Sequence, residues 1–241
     1  MPAADSAGND GAQRREFHAA QTQLLGAEAF ALWTFDDCHP DANGLCDFAK
    51  QQEFVRREGD YYPGLRAPVP TGYEDWVIAL LRSGIDTGAA NELELLNCTY
   101  AVACDDPANL VPIQLIPHFD SLEGNLIAAV HYLCAPPFAG TAFFRHRRTG
   151  FERIDATRLA LWQQALSADA RQFGLPASAY HVGSSQAFEQ IGTAPLQFNR
   201  LVAYPANCLH SGMLNAAQLS DDPAFGRLTI TTLVRRHAGL L

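Results

Sequence analysis

Residues 126–146 read LIAAVHYLCAPPFAGTAFFRH, which is two apolar runs divided by a turn that contains Pro136 and Pro137. Apolar runs of this length, with β-branched and aromatic residues and with Pro and Gly at their ends, are typical of β-strands. We therefore predict strands at Leu126–Cys134 and Thr141–His146. Similar short apolar runs occur on both sides of this stretch, and together they indicate the fold class of the chain.

Short apolar runs elsewhere add further strands and a few helices. Strands are predicted at Leu93–Val102, Val111–Ile116, Leu201–Tyr204, Cys208–His210 and Leu228–Val234. Apolar residues at helical spacing predict helices at 16–30, Trp76–Arg82 and Ala156–Phe173. Many short strands with Gly and Pro turns favour a mainly β member of the α+β class, a sandwich or jelly roll with flanking helices.

The length allows one large domain or two small ones, and we predict a single structural domain. The chain has 241 residues, of which 48% are hydrophobic and 18% are charged, and this is enough apolar material for a buried core. We place an N-terminal helical and extended support region at 1–92 and the β core at 93–241. The net charge of −9 argues against non-specific binding to nucleic acid.

Several classes of protein are excluded by simple patterns. No apolar run approaches the 18 residues of a membrane span, and residues 1–20 lack the apolar segment of a secretory signal. The six cysteines are scattered without a CxxC pair, which excludes a zinc finger and a disulfide scaffold. We therefore expect a cytoplasmic protein with free thiols, without a membrane partner. A homodimer stays open, since two-fold dimers are the commonest oligomers.

The sequence Pro117-His118-Phe119-Asp120 is the most informative for chemistry. On a strand, residues two apart point to the same face, so His118 and Asp120 present an imidazole and a carboxylate side by side. These are two of the three ligands of the 2-His-1-carboxylate triad, which holds Fe(II) and leaves three positions open. The third ligand must come from a distant strand, and His210, 92 residues later, is the best candidate.

A cationic element follows the second histidine. Arg227 and Thr229, beginning 17 residues after His210, share one face of a predicted strand. A guanidinium binds a carboxylate through two hydrogen bonds and a threonine hydroxyl can add another, so this pair fits the distal carboxylate of a dicarboxylate co-substrate. Taken singly, His118 and Asp120 also fit a surface turn and His210 fits a packed core histidine; the ordered set favours a metal site.

The order HxD, distal His and Arg-x-Thr resembles the Fe(II)- and 2-oxoglutarate-dependent oxygenases. Several fragments are similar to an uncharacterised bacterial branch of that superfamily, and together they span most of residues 45–236. These fragments are YPGLR at 62–66, PHFDS at 117–121, GTAFFRHRRTG at 140–150 and LHSG at 209–212. The resemblance implies a double-stranded β-helix, which is a jelly roll.

The resemblance also implies roles for particular residues. His118, Asp120 and His210 would bind Fe(II), and Arg227, supported by Thr229, would hold 2-oxoglutarate. The tyrosine that the family places just before HxD is missing, and Tyr100 and Tyr132 are its candidate replacements. The implied activity is hydroxylation of an amino-acid-like, peptide or small-metabolite substrate by molecular oxygen, with release of succinate and CO2. A carboxylate at Asp120 argues against halogenation.

Other side chains are candidates for contact with the substrate. Alternation along the strand after Gly140 aims Arg145 and Arg147 at the face of Phe143, although exposed charge runs are usually only solvated. Tyr62 and Arg66 lie in a Pro-rich stretch that lines a substrate mouth or packs as a rigid loop. The segment Ala177–Pro195 is long enough for a lid or recognition loop.

Two alternative functions remain from the sequence. A cupin-like metal enzyme that does not use 2-oxoglutarate would need similar ligands. A non-catalytic jelly-roll binding protein would have no need of all three ligands.

Overall fold

Ten strands and three α-helices form the described part of this computed structural model, which comprises residues 20–85 and 92–237. The strands are β1 Gln21–Leu25, β2 Phe30–Phe35, β3 Gly64–Pro68, β4 Glu92–Ala103, β5 Leu126–Tyr132, β6 Thr141–His146, β7 Phe188–Ala194, β8 Arg200–Pro205, β9 His210–Gly212 and β10 Arg227–His237. The helices are α1 Ala42–Ala49, α2 Tyr73–Gly84 and α3 Leu159–Phe173. None of the helices in these residues is both long and apolar enough to cross a membrane.

The strands form two antiparallel sheets. The large sheet has the order β1-β2-β8-β5-β10-β4-β3, and the small sheet has the order β7-β6-β9. Side chains from both sheets, such as Tyr132 and Tyr204 from the large one and Phe143 from the small one, pack into one apolar cluster. The fold is therefore mainly β, a double-stranded β-helix of the jelly-roll type with flanking helices.

The helices cover the outer faces of the two sheets. Trp76 and Leu80 of α2 pack with Tyr100 and Ile230 on the outer face of the large sheet. Helix α3 places Trp162 against the outer face of the small sheet, where Phe144 is fully buried. Each sheet thus has a second apolar layer, and the space between the sheets is left for the candidate site.

The structure confirms most of the predicted strands and helices, since β4, β5, β6, β8 and β10 and helices α2 and α3 all lie where the patterns place them. The helix predicted at 16–30 is wrong over its described part, residues 20–30, because β1 runs into a tight turn and then β2. The Glu152 carboxylate stabilises that turn by accepting hydrogen bonds from the backbone N–H groups of Ala27 and Glu28. Residues 16–19 lie outside the described residues.

Two other predicted elements are corrected. Val111–Ile116 is not a strand, because Pro112 starts a 3₁₀ turn at Pro112–Leu115. The long connection predicted at Ala177–Pro195 contains β7, which pairs with β6 along its length. This strand forms because it pairs with a distant segment; Arg145 and Glu189, for example, are 44 residues apart. A local sequence pattern does not indicate such a partner.

The N-terminal region shares its hydrogen bonds with the core. Strand β2 pairs with β8, and β3 pairs with β4. The division at residue 92 therefore marks no break in the large sheet, because strands from both sides of it are paired.

Candidate metal centre

The His118 segment lies directly beside β9. The backbone N–H of His118 donates to the carbonyl of His210 over 2.9 Å, and the N–H of His210 donates back over 2.8 Å. Two residues further on, the N–H of Asp120 donates to Ala206 over 2.8 Å. This antiparallel bridge brings together two histidines that are far apart in the sequence.

The three candidate ligands converge on one point. Their nearest donor atoms all lie within 4.8 Å of one another. The Nε2 of His118 lies 3.9 Å from Oδ1 of Asp120, and the Nε2 of His210 lies 3.6 Å from Oδ2. Among the described residues, this is the one group of three or more His, Cys, Asp or Glu side chains that can share a metal ion. Two imidazoles and one carboxylate are the donor set of the non-heme Fe(II) triad, so the residues fit that ion.

The imidazole of His210 is held in a metal-binding orientation. Its Nδ1 lies 3.1 Å from the carbonyl oxygen of Cys208, which can only accept, so Nδ1 carries the proton. The lone pair is then on Nε2, the atom that lies nearer Asp120. The ring of Tyr204 packs against the imidazole at a centroid distance of 4.8 Å. Such outer contacts fix the tautomer and the ring orientation of metal ligands.

His118 is the more open of the two histidines. Burial, with a smaller contribution from His210, lowers the pKa of His118 to about 4, while Asp120 acts in the opposite direction. The side chain is still 50% exposed, so one edge of the ring is open to solvent. The neutral imidazole at neutral pH is the form that binds a metal.

Arg227 lies near the other end of β9. It is buried, with Nε donating to the carbonyl of Ala139 over 3.0 Å and Nη2 to that of Gly140 over 3.2 Å. A Cβ atom placed on Gly212 would lie 4.0 Å from its Nη1. Gly212 follows His210 by two residues, about 7 Å along a strand. In the described part of the chain, no carboxylate lies within ion-pair distance of this guanidinium.

Thr229 and Tyr132 lie on the interior face with Arg227. They are directly opposed on β10 and β5, and the guanidinium carbon of Arg227 lies 5.5 Å from the Tyr132 ring centre. Both hydroxyls already have partners, since Thr229 donates to Ala101 over 3.3 Å and Tyr132 shares a 2.8 Å bond with Thr141. Both residues therefore shape this end of the site.

Tyr100, in contrast, is not part of the site. It lies opposite Ile230, on the outer face of the large sheet, and its hydroxyl donates to the carbonyl of Leu45 over 2.7 Å. Because alternate residues of a strand face opposite sides, Tyr100 and Ala101 cannot both point inward. The expectation that Tyr100 contacts the co-substrate is therefore corrected.

Tyr62 and Arg66 form a stacked pair near β3. The guanidinium of Arg66 lies 4.0 Å above the Tyr62 ring and is bound by Asp60 and Thr231. The buried hydroxyl of Tyr62 has no hydrogen-bond partner among the described residues. Burial raises the pKa of Tyr62, and Arg227 is the strongest of the charges that oppose this rise. Tyr62 packs with Leu214 and Tyr180, which line a cavity of about 620 Å³ that Arg227 also lines.

Arg145 and Arg147 are engaged elsewhere. Arg145 binds Glu152 over 2.6 Å and Glu189 over 3.0 Å, and Arg147 donates to the carbonyl of Ser185. An irregularity between Phe143 and Phe144 also breaks the alternation on which their predicted direction depended. The structure does not bring either guanidinium to the three candidate ligands.

Three contributors to the site escaped the sequence patterns. Tyr204 lies in a predicted strand, but its contact with His210 depends on how the two sheets face each other. Cys208 acts through its backbone carbonyl, while burial raises the pKa of its thiol well above the usual range. Gly212 leaves room beside Arg227. Only the LHSG fragment could have drawn attention to this glycine.

Fold and site together define a double-stranded β-helix protein with a 2-His-1-carboxylate candidate metal centre. The chain belongs to the family DUF6445, described as a family of unknown function, whose model matches residues 17–234. No curated protein matches the sequence.

Remote similarity links the chain to solved structures. HygX from Streptomyces hygroscopicus, with nickel and 2-oxoglutarate bound, is 9% identical with a TM-score of 0.48, over 85% of this chain and 82% of that one. SnoN, a non-heme alpha ketoglutarate dependent epimerase from nogalamycin biosynthesis, is 13% identical with a TM-score of 0.42, over 84% and 76%. SnoK, a carbocyclase from nogalamycin biosynthesis, is 12% identical with a TM-score of 0.42, over 86% and 81%. Similarity at this level carries no information on the reaction of this chain.

Proposed function

We propose that this protein is a non-heme Fe(II)- and 2-oxoglutarate-dependent oxygenase that hydroxylates an amino-acid-like, peptide or small-metabolite substrate. The observation that carries the proposal is the arrangement along β9. One end of this strand holds His210 of the three-ligand group, and Arg227 lies beside the other end, at Gly212. A dicarboxylate bound along β9 would join a metal ion at His210 to that guanidinium.

The three ligands would hold the ion from one side. His210 is buried and fixed by the Cys208 carbonyl, so it presents Nε2 without further ordering. Asp120 supplies a negative charge that offsets part of the charge of a divalent cation. His118 and Asp120 are partly exposed, so an ion held by these residues would be accessible to ligands from solution. When bound, iron and 2-oxoglutarate supply the oxidation of a C–H bond by molecular oxygen, with succinate and CO2 as co-products.

Arg227 would hold the distal carboxylate. The carbonyls of Ala139 and Gly140 keep the guanidinium in place through Nε and Nη2, and Nη1 is directed toward Gly212. A buried guanidinium without a carboxylate partner strongly favours an anionic ligand. Tyr62, rather than Tyr100 or Tyr132, is the hydroxyl that we place beside this carboxylate, because its oxygen is buried without a partner near Arg227.

The test is an anaerobic titration of the apo-protein with Fe(II) and then 2-oxoglutarate, followed through the weak visible charge-transfer band of the chelate. We expect the band in the wild type, its loss in His118→Ala, and an at least tenfold weaker 2-oxoglutarate affinity in Arg227→Gln. Arg235→Gln, on the same strand but paired with Glu94, is the matched control and should behave as the wild type. Substrate screening by succinate release would follow.

Different failures have different meanings. Stoichiometric metal without a band would overturn the use of 2-oxoglutarate and favour a cupin-like enzyme. Absence of metal binding would remove the metal centre and favour a jelly-roll binding protein.

A further inference from the structure

A second cavity lies outside the candidate metal centre, between α3, the 3₁₀ turn at Pro112–Leu115 and the segment 173–188. Its volume is about 580 Å³, within the range of small-molecule sites. We call it the α3 groove. It lies on the outer side of the small sheet, where Phe188 packs with Phe144, whereas Phe143 belongs to the apolar cluster between the two sheets.

The rim of the α3 groove exposes large apolar side chains. Ile113 is 43% exposed, Phe173 40%, Leu175 71% and Val182 58%, and all four line the groove. Single exposed apolar residues are common on protein surfaces, but several around one concave surface are typical of a binding site.

A polar group without a partner lies in the wall of the groove. The His181 ring packs between Phe144 and Phe188 at centroid distances of 5.0 and 5.6 Å. Its Nε2 is buried and has no hydrogen-bond partner within residues 20–85 and 92–237. Burial lowers the pKa of His181, so the ring is neutral at neutral pH. An unsatisfied buried nitrogen is unfavourable, and a ligand that reaches it would recover that free energy.

The charge of the groove is already compensated. Among the described residues that line it, Asp169 is the one carboxylate, and it is bound by His146 over 2.7 Å and by Arg148 over 2.6 Å. None of the described lining residues is Lys or Arg. A charged ligand would therefore lose its hydration without gaining an opposite charge.

We propose that the α3 groove binds an uncharged, mainly apolar small molecule that carries one hydroxyl group, which contacts Nε2 of His181. A hydroxyl suits either tautomer of the neutral imidazole, since it can donate or accept. The α3 groove shares Ala179, Tyr180 and Val182 with the wall of the cavity at Arg227, but neither Arg227 nor any of the three candidate metal ligands is among its described lining residues. The proposal does not depend on the function proposed above.

The test compares 1-naphthol with naphthalene as probes of the whole protein by isothermal titration calorimetry. We expect one 1-naphthol per chain, bound about fivefold more tightly than naphthalene, the effect of one added hydrogen bond. His181→Phe keeps an aromatic ring between Phe144 and Phe188, and this variant should bind 1-naphthol and naphthalene with about equal affinity. Equal binding of the two probes to the wild type, or an unchanged preference in His181→Phe, would overturn the proposal.

A second pair of variants tests the location without touching His181. Ala170→Trp on α3 fills the groove and should abolish the binding of both probes. Ala168→Trp, on the same helix but outside the groove lining, is the matched control and should bind them as the wild type does. Unchanged binding in Ala170→Trp, with a thermal unfolding transition like that of the wild type, would also contradict the proposed site.

Discussion

At the scale of single residues, the orientation of one imidazole decides whether the candidate centre can hold a metal. His210 is bonded through Nδ1 to the Cys208 carbonyl and packed by the ring of Tyr204, so Nε2 is presented to the ion. The carbonyl cannot be changed by substitution of the Cys208 side chain. The contact between Tyr204 and His210 is therefore the one that a side-chain substitution can test.

We predict that Tyr204→Leu weakens metal binding about tenfold, as outer contacts of metal ligands generally do. Tyr204→Phe keeps the ring and should retain the wild-type affinity. The measurement is titration of the apo-protein with Co(II), followed by its visible absorption. Equal affinities of the two variants would show that the ring does not position His210.

A second residue-scale prediction concerns Tyr62. The buried hydroxyl of Tyr62 has no partner in the described part of the chain, and Arg227 acts on it electrostatically. Tyr62→Phe should therefore weaken 2-oxoglutarate binding by about three- to tenfold, which is the effect of one hydrogen bond to a charged group. Pyruvate lacks the distal carboxylate, so its affinity for the metal-loaded protein should not change. An unchanged affinity for 2-oxoglutarate would show that the Tyr62 hydroxyl does not contact the co-substrate and that the residue contributes only by packing.

The third residue-scale prediction concerns pH and His131. Its ring is fully buried, with Tyr73 at Nδ1 and Asn199 at Nε2, and burial lowers its pKa to about 3 from 6.5. Between pH 3 and 6.5, His131 is protonated in the unfolded chain but not in the folded chain. The stability that the neutral buried ring contributes is therefore complete above pH 6.5 and is lost as the pH falls toward 3.

The contribution of this one group is about 1.4 kcal/mol per pH unit within that window. In urea unfolding of the apo-protein between pH 7 and 5, His131→Gln should therefore show a flatter dependence than the wild type. Identical slopes would mean that His131 is protonated in the folded state as easily as in the unfolded chain.

At the scale of elements, short strands position the side chains of the candidate site. Strand β9 has three residues, and it carries His210 at one end and reaches Arg227 at the other. Its neighbour β6 begins just after Gly140, whose carbonyl holds Arg227. Strands such as β5 and β6 were predictable because their apolar runs are visible locally, whereas β7 is decided by its pairing with β6. The turn at Pro112–Leu115 begins at Pro112, which prevents the strand predicted there.

The entry to β6 allows an element-scale prediction. A Cβ on Gly140 would lie 1.9 Å from the backbone oxygen of Ala194 and 2.7 Å from the backbone nitrogen of Leu196, and neither can move freely. Gly140→Ala should therefore destabilise the protein by about 2–3 kcal/mol in urea unfolding and also weaken 2-oxoglutarate binding. Gly124→Ala, where the nearest atom is 3.9 Å away, should change stability by less than about 0.5 kcal/mol. Equal stability of the two variants would contradict this reading of Gly140.

At the scale of the whole molecule, the large sheet is assembled from both ends of the chain. Strands β2 and β3 flank β8 and β4, and α2 covers the outer face of the sheet. We predict that a chain truncated to residues 93–241 does not fold cooperatively, because it lacks these strands and exposes Tyr100 and Ile230. A broad urea transition by circular dichroism, against a sharp one for the full chain, is the expected result. A sharp transition of the fragment would show that the core is independent.

The sequence by itself determined the β class, the positions of the long strands, and the group His118, Asp120, His210 and Arg227 as candidates. These follow from local alternation, from the choice of residue types and from their order along the chain. The tertiary structure decided the rest: that His118 and His210 meet across one bridge, that Tyr100 faces outward, and that Arg145 and Arg147 have other partners. The physical reason is that a side chain's neighbours across a sheet come from register and pairing, which join residues as far as 170 positions apart, such as Trp33 and Ala203, and leave no local pattern.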